Sequence, residues 1–154
     1  MAFACVLAAC GGDDGDGGAM ASSSITGFMG GTVTGTGAFM QGAPDTAADS
    51  VTLTLTLSAC VADKAYPVHI HQGAACTDAT TQGGHWDMTR GEGIPNITCT
   101  GTTGTVTYTR TAADATLAWS VGGDATTNVV GHTIVVHDPD NPTTRIACGV
   151  IAAN

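Results

Sequence analysis

Residues 51–58 read Val-Thr-Leu-Thr-Leu-Thr-Leu-Ser, apolar and hydroxylic side chains in strict alternation. A period of two puts Val51, Leu53, Leu55 and Leu57 on one face of an extended chain and the hydroxyls on the other, the pattern of a half-buried strand. The chain is therefore bound to build a sheet with one wet face. Gly104–Thr109 and 115–121 repeat the alternation on either side of a turn at 112–114. His132–His137 and Arg145–Ile151 are apolar runs separated by Pro-Asp-Asn-Pro. Threonine, valine, alanine and 22 glycines outweigh leucine, lysine and glutamate, a bias away from long helices. The expected fold is all-β, a Greek-key sandwich or flattened barrel of about eight short antiparallel strands. Residues 72–96 break the rhythm. They have no sustained period, are rich in Gly, Thr and Asp, and are expected to form a long ordered loop that serves a function.

The first ten residues, Met-Ala-Phe-Ala-Cys-Val-Leu-Ala-Ala-Cys, are apolar and run straight into Gly-Gly-Asp-Asp-Gly-Asp-Gly-Gly. Leu7-Ala8-Ala9-Cys10 resembles the lipobox of a bacterial lipoprotein signal peptide, with Cys10 as the lipidated residue. The expected organisation is a signal peptide at 1–10, a flexible Gly/Asp linker at 11–22 and one β domain at 23–154, exported to the periplasm or cell surface. Four further cysteines, Cys60, Cys76, Cys99 and Cys148, suit two disulfides in an exported domain, and spacing alone leaves three pairings open. No Cys-x-x-Cys pair points to a zinc–thiolate knuckle. With 4 basic and 13 acidic residues the formal net charge is −9. That charge excludes nucleic acid and an anionic membrane face as partners, so membrane contact is expected through the lipid anchor alone.

Four of the five histidines fall into a pattern. His69 and His71 are two apart on an apolar segment and project to one face, with Ile70 turned to the other. His85 lies in the long loop, His137 ends an apolar run, and Arg145 stands just before Cys148. Imidazole is the ligand that divalent copper and zinc share, and this grouping points to a copper site. His132, five residues before His137, faces the opposite way and is expected to be a structural or surface residue. Trp86 and Trp119 are expected to fill the core. The sequon Asn96-Ile-Thr98 is read as chance in a bacterial chain.

These segments resemble the copper-zinc superoxide dismutase family. His69-Ile-His71 is similar to the first pair of copper ligands, and Gly84-His85-Trp86 to the segment whose histidine bridges copper and zinc. Val130–His137 and Arg145–Ile151 are similar to the C-terminal signature with the last copper ligand, the guiding arginine and a disulfide cysteine. A looser likeness spans Gly27–Ile151. The resemblance implies a Greek-key sandwich, copper on His69, His71, His85 and His137, and superoxide as the substrate, dismutated to dioxygen and hydrogen peroxide. It assigns proton delivery to His85 and anion guidance to Arg145. It also pairs Cys76 with Cys148, which leaves Cys60 with Cys99.

The departures narrow the expectation. Where the family supplies further zinc-binding histidines, this chain has Trp-Asp-Met-Thr-Arg-Gly-Glu-Gly-Ile-Pro at 86–95 and no histidine. His85 and one carboxylate make a poor zinc site, so no zinc is expected. The segment 138–144 is short, which leaves the copper open to solvent. The chain thus resembles a copper-only member in which a carboxylate orients His85, with Glu92 the first candidate and Asp87 the second. A non-catalytic copper-binding or buffering lipoprotein on the same fold is the alternative, and Arg145 favours the enzyme.

Overall fold

A computed structural model describes residues 18–42, 50–111 and 116–154. The signal-peptide segment 1–10 with Cys10, linker residues 11–17 and the 112–114 turn lie outside the described residues. Val51, Leu53, Leu55 and Leu57 are fully buried, as their alternation requires. Strands run in the order β1 (Met20–Gly27), β2 (Thr34–Gln41), β3 (Val51–Ser58), β4 (Ala65–Tyr66) and β5 (Val68–His71). They continue with β6 (Ile97–Thr98), β7 (Thr103–Arg110), β8 (Thr133–His137) and β9 (Arg145–Ala153). Seven of them form one antiparallel sheet in the order β5-β8-β9-β1-β2-β3-β7, and β4 pairs with β6. The long sheet curls strongly into a half-barrel of Greek-key type.

The curl closes the core. A Cβ on Gly37 would lie 2.6 Å from Cδ1 of Ile134, so β2 and β8 face each other with no room between them. Ile25, Phe39, Leu53, Leu55, Ile70 and Ile134 are all at most 1% exposed, and burying each such side chain stabilises the fold by about 1.5–3 kcal/mol. Outside the core, hydroxyls on neighbouring strands bond across the sheet, as between Thr52 and Thr109 at 2.9 Å.

Two expectations are corrected. The sheet begins at Met20, so residues 20–22 belong to β1 and not to the linker; Ala21 is fully buried against the body of the domain. Residues 116–121 are irregular and not a strand. Their apolar members pack inward all the same, because Trp119 is 2% exposed and stacks edge-on against Phe39. The loop 72–96 is ordered around a short helix, α1 (Ala79–Gln82), and a 3-10 turn at Trp86–Met88. Disulfides Cys76–Cys148 and Cys60–Cys99 tie this region to β9 and β4–β6 to their neighbours. Among the described residues no helix is long and apolar enough to cross a membrane.

Candidate metal centre

The four expected histidines arrive from three places. His69 and His71 leave one face of β5, while Ile70 between them is fully buried on the other. His137 ends β8, which pairs with β5 through His69↔Val135 and His71↔Thr133. His85 comes from the loop, joined to His71 by an isolated antiparallel bridge. Together they offer four ring nitrogens that all lie within 4.8 Å of one another.

Hydrogen bonds decide which nitrogen His71 and His85 present. A carbonyl can only accept, so Nδ1 of His71, 3.0 Å from Gly83 O, carries the proton and Nε2 keeps its lone pair. Nδ1 of His85 donates to Oε1 of Glu92, which leaves its Nε2. Oε2 of the same carboxylate lies 3.3 Å from Nε2 of His69, and Nδ1 of His69 is buried without a hydrogen-bond partner. Nε2 of His137 faces Nε2 of His71 at 3.4 Å. Nδ1 of His137 is buried without a partner as well, and unpartnered imidazole nitrogens beside the Nε2 atoms of His71 and His85 fit a metal ion. Bonds of about 2 Å would put the ligand nitrogens about 3–4 Å apart, a small contraction of the cluster.

Burial favours the neutral, coordinating form of His69, His71 and His137. Burial lowers His71 to about 3, with the positive charge of Arg145 adding to the effect. Burial likewise lowers His137 to about 4, helped by His69 and His85. His69 is also lowered by burial and by His85, against an opposing pull from Glu92. Protons therefore leave the His71 and His137 nitrogens free well below neutral pH, and the shift of His69 runs the same way.

Arg145 opens β9 across from His137. Its Nη1 donates to Ala79 O at 2.8 Å and Gln82 Oε1 at 3.1 Å, and its Nη2 to Gly83 O at 2.8 Å. The guanidinium is thus fixed to α1 and the residue after it. Asp87, the second acid expected to orient His85, is instead ion-paired with Arg90, three residues on. His132 stands outside the cluster, stacked on Trp86 with ring centroids 4.2 Å apart, with its Nδ1 3.2 Å from Gln72 O. Sequence reasoning missed Gln82 and Arg110. Gln82 is fully buried and carried no sequence signal. Arg110 carried one, since the period of β7 places it inward with Gly104, and it is 7% exposed.

The family model described as Copper/zinc superoxide dismutase (SODC) matches residues 33–151, most of the chain. The chain belongs to the copper/zinc superoxide dismutase family. Comparison with individual curated proteins gave no match. Membership identifies the four-histidine cluster as a copper-type site and supports superoxide dismutase activity, with superoxide as the implied substrate.

Proposed function

We propose that this member of the superoxide dismutase family works with copper alone and outside the cytoplasm. One observation carries the reading: the carboxylate of Glu92 spans His85 and His69. It does so from the segment that, by the family resemblance, would supply zinc ligands, and residues 86–95 contain no histidine. Nδ1 of His69 and Nε2 of His71, His85 and His137 are the atoms to hold copper. Bound copper would supply the one-electron couple that dismutation needs, in which one superoxide is oxidised to dioxygen and a second, with two protons, is reduced to hydrogen peroxide.

The protein's own groups supply the rest. Glu92 commits Nδ1 of His85, so any proton that ring takes up or gives passes through Nε2, the nitrogen facing the cluster, when that atom is not coordinated; of the two protons that hydrogen peroxide needs, His85 would deliver one and solvent the other. Arg145 holds a positive charge close enough to act on His71 and His137. In a chain of net charge −9, such a local cation draws an anion over roughly the 8 Å Debye length. Two disulfides suit an oxidising compartment. Leu7-Ala8-Ala9-Cys10 suits a signal peptide with lipid attachment at Cys10, followed by a short tether to the β domain.

One observation favours the copper-buffering alternative: the Nη groups of Arg145 already serve three loop acceptors. Purified protein, loaded with copper and assayed for superoxide loss, separates the two. Catalytic turnover supports the enzyme, and copper bound without turnover supports buffering.

A further inference from the structure

Glu92 can meet two histidines only if its backbone is held. Every carbonyl of Thr89–Glu92 is taken by a donor from the β domain. Nη2 of Arg110 donates to Thr89 O at 3.4 Å and to Glu92 O. Nε1 of Trp119 donates to Arg90 O at 2.8 Å. The amide of Ile70 donates to Gly91 O at 3.0 Å, so the stretch of β5 that presents His69 and His71 also grips this loop. Close approach is required at both ends. A Cβ on Gly91 would lie 2.1 Å from Ile70 O, and one on Gly93, at φ 79°, would meet Nη2 of Arg110 at 3.0 Å and the Tyr108 hydroxyl at 3.1 Å.

Arg110 is the hub of these contacts. It closes β7 on the inward register, and its guanidinium lies 5.2 Å from the Tyr108 ring centroid and 5.6 Å from that of Trp119. A planar guanidinium can stack on aromatic faces while its hydrogens serve two carbonyls; an ammonium cannot do both. We propose that Arg110 is a positioning residue of the metal centre, fixing Thr89–Glu92 so that Glu92 holds His85 at Nδ1 and reaches His69. The inference rests on reading the four histidines as a copper site, but its first readout needs no metal.

That readout is nitrogen NMR of the histidine rings in the metal-free full chain. In the parent protein His85 carries its proton on Nδ1. Arg110→Met removes the donors while keeping bulk, and is expected to lose that preference and to match Glu92→Gln, with Arg110→Lys recovering part of it. With copper bound, Arg110→Met should weaken Cu(II) binding about ten- to a hundred-fold. It should also shift the electron paramagnetic resonance spectrum as Glu92→Gln does, and add nothing in the double variant. Trp119→Phe removes one bond to the same loop and keeps the ring, so it should move His85 in the same direction by less, and it serves if Arg110→Met fails to fold. An unchanged His85 proton in either folded variant overturns the proposal, as do affinity losses that multiply in the double variant. A chain that binds no copper yet shows the His85 response contradicts the copper reading and leaves this positioning role standing.

Discussion

Arg145 and His71 share one acceptor, the carbonyl of Gly83, which takes Nη2 of the arginine at 2.8 Å and Nδ1 of the histidine at 3.0 Å. The residue expected to attract substrate is thereby coupled to one of the four clustered histidines through a single backbone atom. Arg145→Met should remove the local cation and loosen the seat of His71 together. The expected result is a fall in kcat/KM of about ten-fold. The parent rate should drop as ionic strength rises and the variant's should respond less, measured across a salt series.

On the proposed reading His85 is a copper ligand and Glu92 the group that orients it. His85→Ala should keep copper on His69, His71 and His137 but lose most turnover at neutral pH. Glu92→Gln, which still reaches the ring but loses its charge, should cost about ten- to a hundred-fold in copper affinity or activity. Copper titration and turnover measured on both variants check the division, and a His85→Ala protein with parental turnover would remove the proton role.

The Cys76–Cys148 bridge closes a separation of 72 residues and anchors the loop that carries α1 and His85. In the chain-entropy account such a bridge contributes about 4 kcal/mol. Cys148→Ser should therefore lower Tm by roughly 10 °C. It should also release the Arg145 contacts to Ala79, Gln82 and Gly83, so that activity falls more than it does on losing Cys60–Cys99. Calorimetry with parallel assays of the two disulfide variants tests the ordering.

Acid should destabilise the metal-free protein in a predictable window. His71 and His137 titrate near 3 and 4 in the fold, below the ordinary histidine value of about 6.5 in the unfolded chain. The unfolded state then binds more protons, so their contribution is complete above about pH 6.5 and is lost as pH falls toward the folded values. Tm measured from pH 7 to 4 should drop more steeply for the parent than for His71→Gln/His137→Gln.

Local periodicity carried most of this fold. The alternation of 51–58 set which side of β3 is buried, and the His69-Ile70-His71 spacing set two imidazoles on one face of β5 with Ile70 buried on the other. The same reasoning failed at 116–121, where alternation encodes side chains folding inward from an irregular segment around Trp119. Sequence ranked Glu92 ahead of Asp87 as the acid that orients His85, but both lie within seven residues of it and no local pattern shows what each one meets. What separates them is Arg90, which pairs with Asp87, and Arg110, which holds the backbone of Glu92. Those contacts depend on tertiary closure between β7 and the loop, which no local pattern records.

The central claim is a dismutase that needs copper and no zinc. The most direct measurement strips the protein of metal, restores copper alone, and follows superoxide loss before and after zinc is added. The account predicts one copper per chain, turnover with copper alone, and no change on adding zinc. Activity that appears only with zinc, or one bound zinc per chain, would contradict it.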